Sequence, residues 1–296
     1  LILMATSSPT IFPPLSLTLL FTFLLSLSTH LTPSLSSSSS LSFVYGGCSQ
    51  LQYSPEDAAY ATNLHSLLTA LLNSATYSSY NHFTVVGSSP SAAVHGLYQC
   101  RGDLPMPECA ACVSHSASRL AGLCPGTCGG ALQLVGCFLK YDNESFFGVE
   151  DKALLFKKCG PPPAGAVQEM MAARDAVLDG LVSGPGEYRV GGSREVQGMA
   201  QCVGDLSTGQ CRDCVGEAVK QVKMACGNGA SGDVYLGKCY VRYTLPGGRS
   251  YFNSNNGYIK NMGVKTFALV IGLLAAIAIL IIFLTFLCRT FAGSSK

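Results

Sequence analysis

The residues of this chain best placed to do chemistry are its fourteen cysteines. In "CRGDLPMPECAAC" Cys100, Cys109 and Cys112 follow a C-x8-C-x2-C spacing, and "CVGDLSTGQCRDC" repeats it with Cys202, Cys211 and Cys214. Such clusters can ligate a metal, cycle between thiol and disulfide, or form a structural framework. The match runs on without a gap: eleven residues lead from Cys112 to Cys124 and twelve to Cys137, as they do from Cys214 to Cys226 and Cys239. Cys48, 52 positions before Cys100, and Cys159, 43 before Cys202, complete two sets of six. The stretch between residues 43 and 252 is therefore a tandem duplication.

Metal and redox readings fit the pattern poorly. A zinc ribbon needs two C-x2-C pairs in one domain or suitably spaced histidines. Each copy has one pair, and all five histidines, at positions 30, 65, 82, 95 and 115, precede the second copy. A thioredoxin-like centre needs an exposed, acidified thiol at a strand-to-helix turn, whereas here other cysteines compete for both members. Nucleophile elbow, phosphate loop and HExxH patterns are missing from the sequence, so no catalytic residue, metal or cofactor is expected. Net charge is +2 with scattered basic residues, which gives no nucleic-acid footprint.

The elements that must position the cysteines can be read from periodicity. "SPEDAAYATNLHSLLTALLNSA" predicts a helix with Ser54 as N-cap and Pro55 at its first position, placing Ala61, Leu64, Leu68, Leu71 and Ala75 on one face. A second helix is expected from near Pro107 to about Leu123, and "AVQEMMAARDAVLDGL" and the segment from about Gln210 to Ala225 take the same places in the second copy. "ALQLVGCFLKY" reads as strand, with Val135, Cys137, Leu139 and Tyr141 on one side and Leu132, Leu134 and Phe138 on the other. Its counterpart places Gly237, Cys239, Val241 and Tyr243 opposite Val234, Leu236 and Tyr240. Apolar groups on both sides imply a sheet covered twice, by its own helices and by the sister domain.

Two apolar runs frame the duplication. Leu15 to Leu27, followed by a Ser-rich tract from Ser34 to Ser42, reads as a secretory signal with cleavage anywhere from about Ser28 to Ser42. Thr266 to Leu287 carries no charge over 22 residues, about 33 Å of helix, enough to span a bilayer. The expected organisation is leader 1–42, first domain 43–152, second domain 153–252, stalk 253–265, transmembrane helix 266–287 and cytoplasmic tail 288–296. That is a type I topology with thirteen cysteines in an oxidising compartment, which favours disulfides. The tail has no room for a kinase, so a partner is expected to carry any signal.

The order C-x8-C-x2-C-x11-C-x12-C, with one cysteine well upstream, resembles the plant ginkbilobin-like, or stress-antifungal, cysteine-rich domain. Two such domains, the start "GGCSQLQYSP", one span and a tiny tail resemble the plasmodesmata-located proteins over about Phe43 to Phe291. The resemblance implies an α+β class, each domain two helices on an antiparallel sheet with three disulfides. It implies pairing of Cys48 with Cys124, Cys100 with Cys109 and Cys112 with Cys137, then Cys159 with Cys226, Cys202 with Cys211 and Cys214 with Cys239. Sequence alone leaves fifteen connectivities per domain. It further implies a non-enzymatic receptor-like protein of the plasma membrane at plasmodesmata, acting on cell-to-cell traffic through callose, with roles in defence and in docking viral movement proteins.

Some positions stand outside that pattern. Cys128 has no counterpart and is left over once twelve cysteines pair; an intermolecular bridge, a redox-sensitive thiol and a shielded thiol are all open. Mannose-binding members of the family use Asn, Arg and Glu where this chain has Ser49, Ala131 and Asp142, and in the second copy Gly160, Asp233 and Thr244. Losing the arginine fork argues against that sugar mode, yet a membrane-tethered lectin using another surface, or an extracellular redox sensor, stays an alternative. Asn143 begins the chain's one sequon and is a candidate glycosylation site. Cys288 at the inner end of the span is a candidate for S-acylation. Ala268, Gly272 and Ala276 recur every four residues and offer a face for helix association. Expected partners are the membrane, a second copy or a related chain, and a protein or wall-glycan ligand.

Overall fold

The computed structural model of the protein describes residues 37–54, 58–87, 92–163 and 167–245, with Ile277 and Ile281. The leader before residue 37, the stalk, and almost all of the expected span and tail, including Ala268, Gly272, Ala276 and Cys288, lie outside the described residues. Among the described residues no helix is long and apolar enough to cross a membrane.

Each copy is an α+β unit. The first runs β1 (Phe43–Cys48), α1 (Ala58–Ser74), β2 (Tyr80–Val85), β3 (Val94–Cys100), α2 (Met106–Leu123), β4 (Gly130–Leu134) and β5 (Cys137–Asp142). The second repeats it as β6 (Leu154–Cys159), α3 (Val167–Ser183), β7 (Tyr188–Gly192), β8 (Gln197–Cys202), α4 (Thr208–Cys226), β9 (Ser231–Leu236) and β10 (Cys239–Thr244). Both sheets are antiparallel, ordered β1-β4-β5-β3-β2 and β6-β9-β10-β8-β7. In each, the two helices cover one face.

The segment from Ala131 to Tyr141 is not one strand. The chain turns at Val135–Gly136 and comes back, pairing Leu132 with Leu139 and Gln133 with Phe138. Gly237–Lys238 turns the second copy in the same way. The reversal corrects the expected faces: Leu132 and Leu134 join Cys137, Leu139 and Tyr141 in the helix-side core, as Val234 and Leu236 join Cys239, Val241 and Tyr243. Of the apolar residues assigned to the outer side, Phe138 and Tyr240 are found there. Glycine is needed at both turns because other chain segments cross them closely. A Cβ on Gly136 would lie 2.7 Å from Ser40 Cβ, and one on Gly237 2.2 Å from Asp151 Cγ.

The buried face of α1 is also rotated from expectation. Tyr60, Leu67, Leu71 and Ala75 are buried, Leu64 and Leu68 flank them half-buried, and Ala61 is exposed. Two contacts set that rotation: the Tyr60 hydroxyl donates to the Cys128 carbonyl, 2.5 Å away, and Gly96 on β3 leaves room for Leu67 and Leu71. The later helix starts differently in the two copies. α2 begins behind Pro105, which spends no N–H there. α4 begins with a capping box, Ser207 Oγ accepting from Gln210 N and Gln210 Oε1 accepting from Ser207 N.

Candidate functional site

Six disulfides tie these elements together: Cys48–Cys124, Cys100–Cys109, Cys112–Cys137, Cys159–Cys226, Cys202–Cys211 and Cys214–Cys239. In each copy the second helix, α2 or α4, carries three of the bonded cysteines within its length or at its C-terminal end. One binds the strand before the helix, one the last strand of the sheet hairpin that follows, β5 or β10, and the one at the helix end reaches back to the first strand. Each such link commonly adds ~2 to 5 kcal/mol, chiefly by restricting the unfolded chain. Cys128 lies outside the six, buried in the helix-side core of the first copy, and its N–H donates to the Leu51 carbonyl.

The faces away from the helices pack against each other. Leu97 and Phe138 of the first copy enclose Val203 of the second, while Met199, Tyr235 and Tyr240 of the second receive Val44 and Tyr45. The Tyr235 ring is stacked on Tyr240 at 4.9 Å and meets Tyr45 edge-on at 6.0 Å. Burial holds the Tyr45 and Tyr240 phenols well above their ordinary pKa, and pushes Tyr235 and Tyr188 up to about 12. These side chains are thus neutral packing and hydrogen-bonding groups throughout the physiological range.

The contact follows an approximate two-fold relation between the copies. Gln99 and Gln201 precede equivalent cysteines; Gln201 Nε2 donates to the Cys100 carbonyl and Gln99 Oε1 accepts from Gly204 N, each at 3.0 Å. Tyr80 and Tyr188 hold the same register position, opposite Gln99 and Gln201. Tyr188 lies against Gly102, where a Cβ would come within 2.4 Å of its ring, and Tyr80 against Gly204, at 2.9 Å. The glycine in the Gly-Asp pair of each quoted motif therefore makes room for a tyrosine of the opposite copy. Sequence reasoning passed over it, although its repetition right after Arg101 and Val203 was the available signal.

Charge breaks the symmetry. Asp205 and Lys238, with side chains 3% and 4% exposed, form a buried ion pair. The Asp205 carboxylate also accepts from Gly148 N, and Lys238 Nζ donates to the Phe146 carbonyl at 3.0 Å. Burial pulls the Lys238 pKa down from its ordinary value and the adjacent Asp205 opposes that fall. In the first copy Asp103 instead binds its neighbour Arg101 at the surface, at 2.5 Å. The segment between the copies is thereby held to the second one by Asp205, Lys238 and Gln210, whose Nε2 donates to the Gly148 carbonyl.

Ser49, Asp142 and Gly129 converge at one end of the first sheet, where a Cβ on Gly129 would touch both other residues. Ala131 is two residues away on β4. In the second copy Asp233 is taken by Arg242, 2.8 Å away on the adjacent strand. The sugar positions of the family thus hold no arginine fork in either copy. Asn143 follows β5 directly and is half-buried. Among the described residues no three His, Cys, Asp or Glu side chains gather as metal ligands.

Comparison with known proteins agrees with this architecture. The domain family described as salt stress response/antifungal matches residues 47–144 and 170–245. Plasmodesmata-located protein 7 of Arabidopsis thaliana is 56% identical over 257 residues, covering 86% of each chain. Plasmodesmata-located protein 6 of the same plant is 48% identical over 256 residues, 84% of this chain and 88% of its own. The crystal structure of the tandem DUF26 ectodomain of the Arabidopsis thaliana cysteine-rich receptor-like protein PDLP5 superposes with a TM-score of 0.65 at 42% identity, covering 69% of this chain and 99% of that one. With two cysteine-rich domains of one family, three disulfides in each, and relatives matched across both, the chain belongs to the plasmodesmata-located protein family.

Proposed function

We propose that this protein is a non-enzymatic, receptor-like type I membrane protein of plasmodesmata, its tandem domains in the apoplast and residues 288–296 in the cytosol. It regulates traffic between cells through callose deposition, acts in defence, and is a docking point for viral movement proteins. The observation that carries this reading is the rigid pairing of the two copies. Each sheet spends part of its outer face on the other, and the helices and loops that face outward are the surface left for a ligand. A protein or wall-glycan ligand engages that surface, while residues 266–287 hold the pair at the membrane and associate laterally with a second copy or a related chain.

Localisation tests the proposal. A fluorescent fusion of the full chain is expected in puncta at cell junctions; uniform plasma-membrane fluorescence would sink the reading. Residues 266–296 moved onto an unrelated secreted domain are expected to carry the punctate pattern with them. On a glycan array, specific sugar binding by the purified chain would turn the reading towards a tethered lectin.

A further inference from the structure

β7 is the last strand of the second sheet, and among the described residues no strand lies beyond it. Cys202 N donates to the Glu187 carbonyl at 3.0 Å and Ser193 N to the Val196 carbonyl at 2.8 Å. Bonded and non-bonded pairs alternate along an antiparallel ladder. Arg189 and Gly191 therefore bond inward to β8, while the N–H and C=O groups of Tyr188, Val190 and Gly192 point away from the sheet. Natural edges are commonly blunted by lysine, proline, a bulge or a covering segment. β7 has no lysine, no proline and no break in register, and its Val190 is 63% exposed. The matching edge of the first copy is filled instead. Phe83 holds the register place of Gly191 and packs against the helix-side core. Asn63 on α1 holds the connection after β2, its Nδ2 donating to the carbonyl of buried Ala92 at 2.8 Å. In the second copy that connection is only residues 193–196, Ala173 and Gly191 replace the bulkier groups, and a groove of about 620 Å³ runs between α3 and β7.

We propose that this edge pairs with the same edge of a second molecule of the protein, antiparallel about a two-fold axis at Gly191, so that two five-stranded sheets become one. The edge is complementary to itself in three ways. With Gly191 opposite Gly191, Val190 of each molecule faces Gly192 of the other, and the outward N–H and C=O groups of both residues find partners. Val190 projects on the outer side and lands beside that glycine, at a hollow of about 360 Å³ that Gly192, Gln197, Met199 and Thr244 help to line. On the helix side, α3 sits over β7 and β8: Val177 and Leu181 lie 3.5 Å from the place of a Gly191 Cβ, and Val177 2.9 Å from one on Gly198. Strands about 4.8 Å apart then set the two α3 axes about 10 Å apart, close to the distance at which helices pack. Ala173, Ala176 and Gly180, which line the groove, are short enough for that approach. A lone added strand would satisfy the edge and leave the groove unfilled, whereas a second molecule brings a strand to one and a helix to the other. The contact is separate from any association through residues 266–287, and holds wherever in the cell the protein resides.

Hydrogen exchange on the unaltered full-length protein in detergent tests the proposal without any substitution. Amides of Tyr188 to Gly192 are expected to slow about tenfold or more as concentration rises, in step with a change from monomer to dimer mass. Gly191→Cys places a Cβ where nothing lies closer than 3.5 Å. On mild oxidation it is expected to form a disulfide between molecules, joining residue 191 to residue 191, since a close cross-strand pair meets the geometry of that bond. Val190→Lys puts a charge on the edge and is expected to abolish both the cross-link and the slowing. Mass spectrometry showing the six native disulfides and an unchanged thermal midpoint of the monomer would report that the variant still folds. Exchange that stays fast at every concentration would overturn the proposal, and a strand from an unrelated protein as the true partner predicts that result. Slow exchange in a species of monomer mass would overturn it in favour of cover from the same chain. A dimer that persists in Val190→Lys while Gly191→Cys fails to cross-link would place the association in the span, and would also overturn it.

Discussion

The two copies close the same corner of the same fold with different chemistry. Where the first helix ends and the edge strand begins, the first copy uses a neutral network. Asn81 Nδ2 donates to Ser74 Oγ at 2.9 Å, and the Tyr98 hydroxyl is shared between Ser74 Oγ and the Ser78 carbonyl, both at 3.0 Å. In the second copy Arg189 stands in the register place of Asn81, and Ala200 in that of Tyr98. Its guanidinium donates to the carbonyls of Leu181, Val182 and Gly186 at 2.8 to 3.0 Å, and touches Cys211 Sγ. A cation at a helix C-terminus satisfies orphan carbonyls and meets the negative end of the helix dipole. Burial draws the Arg189 pKa down, with Arg212 adding repulsion. One long side chain thus replaces three short ones, and concentrates the dependence in one residue.

That contrast can be broken by substitution. Arg189→Met leaves three acceptors short of partners at ~1 to 3 kcal/mol each, so a loss of roughly 3 to 5 kcal/mol is expected from urea unfolding. A loss no larger than that of Tyr98→Phe would remove the distinction. Gly102→Val and Gly204→Val drive a side chain into the tyrosine of the opposite copy. Each is expected to lower stability by about 1 to 3 kcal/mol and to increase the maximum dimension measured by solution scattering. If only the first had an effect, the two-fold relation would be geometric without being energetic. Tyr98→Phe, losing one shared hydroxyl, is expected to cost about 1 kcal/mol.

The smallest effect is one of pH. Tyr188 and Tyr235 have folded pKa values raised to about 12 from the ordinary 10.0. Native chains therefore keep protons that unfolded chains release. Their contribution is complete below pH 10 or so and fades as pH climbs towards 12. The thermal midpoint is expected to begin falling only above pH 10 or so, less steeply in Tyr188→Phe.

The duplication and the two helices of each copy were legible because each rests on a local signal, cysteine gaps or a 3.6-residue period, while the antiparallel class came with the family resemblance that those gaps carry. The hairpins were not, because Val135-Gly136 and Gly237-Lys238 lack the usual turn pairs. A two-residue reversal also shifts the period-2 phase by one, so Leu134 and Cys137, on opposite faces of a continuous strand, share a face of the hairpin. The rotation of α1 escaped for another reason. Tyr60 is buried by a carbonyl 68 residues away, and no window of sequence contains both partners. Likewise the roles of Gly102, Gly204, Gln99 and Gln201 exist only between copies. Their repetition was visible, but its cause is tertiary.

The bonds that fasten Gly148 to Asp205 and Gln210 have a consequence for recognition. Modules joined by a slack tether gain avidity from the local concentration that the tether sets. Here spacing and angle are fixed before any ligand arrives. A molecule that touches both copies must match a fixed ruler, and one with mismatched spacing gains nothing from the second copy.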